Sequence, residues 1–226
     1  MCEHSTTPSL LLDNKTKNMT LGIIGSGGFA REVLRLAWHL KSLKHINYDK
    51  ILFVELDDFY TNTTVDDTPV KRFSECDLSK THFVLGVGDP KLKEKIIGDI
   101  PSTTEFTSLI SPLAFVAEDL EHKPGLIVMP FTYLSCNVKL GRHVHFNSHC
   151  TVGHDTTIDD YVTCACSVMI SGANDISKFC YFGMNSSTRQ GINITDGVSI
   201  GLNAGVVKDL SVPGTYIGTP CKMLGK

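Results

Sequence analysis

The sequence predicts a small α/β unit followed by a long parallel β-helix. Three observations carry this. Every sixth residue from Ile110 to Val212 gives eighteen positions, of which thirteen are Ile, Leu or Val and two are Phe. A helix repeats its apolar face every 3.6 residues and a strand every 2, so a period of six belongs to a larger unit. A second register, from Thr132 to Ala204, is mostly small or β-branched and falls four residues after the first. Each hexapeptide therefore turns one large and one small side chain inward, and stacked rungs bury them on each other. Ahead of this repeat, Thr20–Ile24 is a short apolar run that meets Gly25-Ser26-Gly27-Gly28-Phe29-Ala30 and then a helical stretch.

In chain order, residues 1–18 are polar and aperiodic and read as a disordered tail, with Met19 a candidate internal start. The α/β unit spans 19–105. Its first helix, Arg31–Leu43, has Val33, Leu36, Ala37 and Leu40 on its apolar face. A second strand, Ile51–Leu56, ends in Asp57-Asp58. A third, His82–Val87, ends in Gly88-Asp89-Pro90 before the helical Lys91–Ile97. Strand, G-x-G-x-x-A, helix lets backbone amides approach a phosphate at the helix N-terminus. Gly25, Ser26, Gly27, Gly28, Asp57, Asp58, Gly88 and Asp89 are therefore candidate contacts to a nucleotide-linked ligand. A full dinucleotide fold needs more strands than residues 20–105 supply, and a repeat domain follows rather than a second catalytic domain. Pro101–Leu109 is the crossover, and the repeat domain spans 106–226. His122-Lys123-Pro124-Gly125 interrupts the first turn without shifting its phase. The repeat ends near Val212, and Pro213–Pro220 forms a cap over the last rung.

Composition excludes several classes. The 226 residues carry a net charge of −3 and no long basic run, which disfavours nucleic acid and anionic membrane surfaces. The apolar stretches are too short to span a bilayer, and no signal peptide is visible. Of eight cysteines only Cys164 and Cys166 are close, and Cys150, Cys164 and Cys180 fall on inward registers. That usage suggests a reducing, cytoplasmic setting.

Five of the nine histidines lie between residues 122 and 154. His143, His145, His149 and His154 all miss the inward registers, so they are expected to point outward or sit at corners. Asp155 follows His154 directly, and a neighbouring carboxylate can fix an imidazole tautomer and raise its basicity.

The stretch HVHFNSHCTVGHDTTIDDYV (143–162) resembles the segment around the catalytic histidine of sugar acetyltransferases in the sialic acid O-acetyltransferase and bacillosamine-pathway N-acetyltransferase group. The tail YIGTPCKML (216–224) is similar to their closing segment. The resemblance covers roughly residues 20–226. It implies a left-handed β-helix with three hexapeptides per coil, acetyl-CoA as acetyl donor, no metal, and a homotrimer with the donor between subunits. It puts the general base on His154, its acidic partner on Asp155 and a backbone donor on Gly172, one 18-residue coil further on. It implies acceptor contact at Asn147, and donor contacts at Thr163, Gly172, Met184, Gly201 and Lys208. Two positions depart from the family pattern, where members often carry histidine: Phe29 in the glycine-rich loop and Thr163 nine residues after His154.

The reading that follows is N-acetylation of a nucleotide-linked amino sugar. O-acetylation of a sialic acid or related sugar stays open. His145 and His149 read as residues without a part in the chemistry, although either could touch the acceptor. A γ-class carbonic anhydrase would use His149 and His154 at their five-residue spacing, but the third ligand position, 113, is Leu. A non-catalytic sugar-binding trimer is the remaining alternative.

Overall fold

The computed structural model describes residues 18–225. The expected N-terminal tail lies outside the described residues except for Asn18. The α/β unit contains β1 (Thr20–Ile24), α1 (Gly28–Ser42), β2 (Lys50–Glu55), β3 (Thr64–Val65), β4 (Thr68–Arg72), β5 (Thr81–Leu85) and α2 (Pro90–Asp99). The sheet order is β3-β4-β2-β1-β5, parallel except for β3 against β4. α1 buries Ala30, Val33, Leu34, Leu36, Ala37 and Leu40 on one side with Leu21 and Ile23. Ile96 of α2 packs on the other side with Phe83 and Leu85. The β3–β4 hairpin was not expected. Its turn residues Asp66 and Asp67 both hold left-handed backbone, φ 47° and 57°, which aspartate tolerates better than most residues.

From Leu109 onward the chain winds as a left-handed parallel β-helix with three faces. Strands stack on partners eighteen residues away: His145 on Thr163 on the first face, Thr151 on Met169 on the second, Thr157 on Asp175 on the third. Both inward registers fill one continuous core, from Leu126 through Phe146 and Phe182 to Val206. At each corner one residue per hexapeptide takes left-handed backbone, including Asn137, His143, His149, Asp155, Tyr161, Ala173 and Asn185. These corners turn the chain between flat two-residue strands. The repeat ends earlier than expected. Val206 is buried, but Val212 is 52% exposed. The last coil is shorter: Ser199 pairs with Thr215 and Ile194 with Leu210, so Leu210 takes the inward place. Thr215–Ile217 and Lys222–Met223 then close that end.

The two units are joined by more than a linker. Phe83 N–H donates to Glu105 O at 2.8 Å and Thr107 N–H to Phe83 O at 3.0 Å, so the crossover adds an edge to β5. Leu109, Ile127 and Met129 of the first coils share a core with β1 and α1. Among the described residues, no helix is long and apolar enough to cross a membrane.

Candidate active site

His154 sits where the second face turns into the third, between strands Thr151–Val152 and Thr157–Ile158. Asp155 occupies the left-handed corner position with φ 57°. This backbone folds its carboxylate back onto its neighbour: His154 Nδ1 lies 2.6 Å from Asp155 Oδ2. An ionised carboxylate only accepts hydrogen bonds, so in the neutral imidazole Nδ1 carries the proton and Nε2 keeps its lone pair. Asn137 Nδ2, one coil below, donates to Asp155 Oδ1 at 2.6 Å. That amide, and then the imidazole, hold the Asp155 carboxyl below the usual carboxylate range. The side chains of His154 and Asp155 are 51% and 54% exposed, which leaves the dyad open to a ligand.

Gly172 passes directly over the ring. A Cβ there would lie 2.7 Å from His154 Nε2 and 2.8 Å from Cε1, so any side chain would displace the imidazole. Gly153 is required beneath it, because a Cβ at 153 would strike the Gly172 amide. The Gly172 N–H makes no hydrogen bond among the described residues, while Ala173 N–H beside it donates to His154 O at 2.7 Å. The corner can therefore accept a proton at Nε2 and offer an amide donor close by.

On the α/β unit, Gly25 has φ 100° and ends β1 in a turn closed to residues with a Cβ. Ser26 Oγ donates to Glu55 Oε1 at 2.6 Å, tying the loop to β2. Cβ atoms at Gly27, Gly28 and Gly88 would meet nothing within 4 Å, so this surface is free. Asp57 accepts from Ser74 Oγ at 2.6 Å, and Asp58 is exposed beside it. The Asp89 carboxylate caps α2 by accepting from Leu92 N–H at 2.7 Å through Oδ1, which holds the side chain at the start of that helix. Asn147 Oδ1 is buried without a hydrogen-bond partner among the described residues.

The other expected residues divide by what covers them. His143 and His145 do point away from the β-helix axis, yet both are buried, because the α/β unit covers the first face. The Phe29 ring from the glycine-rich loop lies 5.4 Å from that of His145. Thr163, expected to meet the donor, is buried and accepts from Lys93 Nζ at 2.8 Å. Lys93 reaches from α2 to donate also to His143 O at 2.8 Å and Val162 O at 3.2 Å. Met184 and Gly201 lie at the other edge of the second face from His154, within one chain. Lys208 shares the His154 corner three coils on, roughly 14 Å along the axis at the usual strand spacing. His149 packs on Phe131, ring centroids 5.1 Å apart. Among the described residues no three His, Cys, Asp or Glu side chains group to hold a metal ion.

Residues 20–100 match the PglD N-terminal domain. The chain is 26% identical over 175 residues to GDP-perosamine N-acetyltransferase from Escherichia coli O157:H7, covering 76% of this chain and 78% of that protein. The acetyltransferase domain of PglB from Neisseria gonorrhoeae, solved with acetyl coenzyme A, superposes with a TM-score of 0.83 at 27% identity, over 92% of this chain and all of that one. WeeI from Acinetobacter baumannii gives 0.82 at 25% identity, over 91% of this chain and all of that one.

Proposed function

We propose that this chain, a sugar acetyltransferase of the hexapeptide-repeat family, moves the acetyl group of acetyl-CoA to the amino group of a nucleotide-linked amino sugar, with His154 as general base. The observation that carries this reading is the His154 imidazole itself, pinned through Nδ1 to Asp155 and presenting Nε2 beneath Gly172. Acetyl-CoA supplies an activated thioester carbonyl. The chain's own groups do the rest. Nε2 takes the proton that the acceptor amine loses as its nitrogen attacks that carbonyl. The Gly172 N–H is the donor for the negative charge that develops on the carbonyl oxygen. Asp155 stays ionised and stabilises the imidazolium, which then returns the proton to the departing thiolate.

The acceptor's phosphates belong at the Gly25–Gly28 loop, where the free surface of Gly27 and Gly28 admits them, with Asn147 nearer the sugar. The N-acetyltransferase relative, which acts on GDP-perosamine by its name, favours an amine acceptor over a hydroxyl. The second face, beside His154, exposes Phe115, Tyr133 and Met169, and its far edge exposes Phe131, Met184 and Leu202. Such a contiguous apolar surface suits packing against another subunit. A homotrimer would bring the Met184 edge of one copy to the His154 corner of the next and enclose acetyl-CoA between them.

The test is thiol release from acetyl-CoA with GDP-, UDP- and dTDP-linked amino sugars, each paired with its hydroxyl counterpart and with a free sialic acid. The expected result is turnover with an amino sugar nucleotide and none with its hydroxyl analogue. Turnover only with hydroxyl acceptors would replace the reading with O-acetylation.

A further inference from the structure

The corner beneath His154 holds a ladder that the acetyl-transfer chemistry above has not used. Asp119, Asn137 and Asp155 stack eighteen residues apart. Asn137 N–H donates to Asp119 Oδ2 at 2.7 Å. Asn137 Nδ2 donates to Asp155 Oδ1 at 2.6 Å, and Asp155 Oδ2 faces His154 Nδ1 at 2.6 Å. Each oxygen of the Asp155 carboxylate thus has its own partner, one on its own coil and one on the coil below. With both ends held, the carboxylate cannot rotate about its last bond. Asn137 has the same left-handed backbone as Asp155, φ 53° against 57°, so the two side chains leave their coils in the same direction, one rung apart. The orientation of the Asn137 amide is dictated by charge: turned over, its carbonyl oxygen would oppose a carboxylate oxygen.

We infer that Asn137 is a positioning residue for the transfer reaction, fixing the Asp155 carboxylate so that its second oxygen selects the His154 tautomer with a free Nε2. Asp119 anchors the Asn137 backbone from one coil further down. The inference rests on His154 being the base. Asn137 touches neither the imidazole nor any site proposed for substrate. Its effect passes through Asp155, whose carboxyl it holds ionised more than any other neighbour does. The carboxylate is half exposed, so without that amide donor water competes for Oδ1 and the carboxylate swings.

The test uses the full-length protein. Asn137→Gly removes the donor while suiting the left-handed corner, so the fold is retained. Asn137→Asp keeps the shape and the backbone bond to Asp119 but offers no donor. Both are expected to lower kcat about tenfold, the loss of one orienting hydrogen bond, with KM for both substrates within about twofold of wild type. Nitrogen-15 NMR of the His154 ring is expected to show the proton on Nδ1 in wild type and a mixture of tautomers in Asn137→Gly. On an Asp155→Asn background, Asn137→Gly is expected to cost nothing further. Wild-type kcat and an unchanged tautomer in folded Asn137→Gly, with His154→Asn inactive, would overturn the inference and leave the base assignment standing. An active His154→Asn would overturn both.

Discussion

His145 and His154 lie on one coil, nine residues apart, and meet opposite surroundings. Both miss the inward registers. His145 lies on the first face, fully buried under the α/β unit against Phe29. Burial, then the charge of Lys93, push its basicity well down. His154 stands at an open corner with a carboxylate on Nδ1 and a glycine above Nε2. The repeat sends both outward; what packs on the outside decides which can exchange a proton with a ligand. On the proposed reading, the covered face serves cohesion and the open corner serves chemistry.

The largest test of that division is His154→Asn, expected to lower kcat by roughly 10²–10⁴ while the melting temperature hardly moves, because the side chain is half exposed and lies outside the core. Stopped-flow thiol release and calorimetry on one preparation read both. A folded variant with near wild-type turnover would break the comparison at its active end.

The next test is acid. His143, on the covered side, is pushed down to about 4 from 6.5, by burial first and then by Lys93 and Arg142. Between those values the unfolded chain binds a proton that the folded one refuses, so stability is intact at pH 7 and falls as pH drops from 6.5 towards 4. The full effect is about 3 kcal/mol for this residue, and His145 shifts the same way. Thermal melts from pH 7.5 to 4.5 should show the decline, with a shallower slope in His143→Asn. Equal slopes in the two proteins would remove His143 as its source.

Lys93→Met sharpens the cohesive side further. It would leave His143 O unpaired and Thr163 Oγ1 without its donor, whereas Val162 O keeps its bond from His145 N–H. The burial that pushes the lysine well below its ordinary range offsets part of that loss. The expected cost is about 2 kcal/mol in chemical denaturation, with kcat of the folded enzyme unchanged. A variant that stays stable but loses kcat would mean that the covered face feeds the chemistry.

The smallest effect is expected at Gly27, on the loop proposed for the acceptor. A Cβ there meets nothing, so Gly27→Ala should fold normally and raise the acceptor KM about tenfold by crowding the backbone approach. Unchanged acceptor kinetics would detach this loop from the reaction.

Much of this was legible in the sequence because the repeat has two coupled registers. Every residue of the small register, from Thr132 to Ala204, is buried. The resemblance, with its three hexapeptides per coil, put Gly172 one coil after His154, and the chain order put Asp155 next to His154. What the period could not show is what covers an outward residue. Thr163 and His145 follow the same rule as His154, and only Lys93, seventy residues before Thr163, removes Thr163 from the surface. Lys93 lies on the helical stretch Lys91–Ile97, where nothing in its spacing marks it as buried. Asn137 was readable in principle, since the 18-residue spacing that placed Gly172 also places an amide beneath Asp155. The β3–β4 hairpin hid because its turn is two aspartates and its strands are short.

Because a coil closes in eighteen residues, the β-helix is a ruler with one graduation per coil. An 18-residue insertion beyond Phe182 would lengthen the stack by one graduation, roughly 4.8 Å, and leave His154, Gly172 and the α/β unit where they are. An insertion of six residues at the same place would turn everything after it by a third of a circuit and carry Lys208 from the His154 corner to another. Length changes in such a protein are tolerated by whole coils, and the shortened coil that ends at Leu210 marks where the ruler stops.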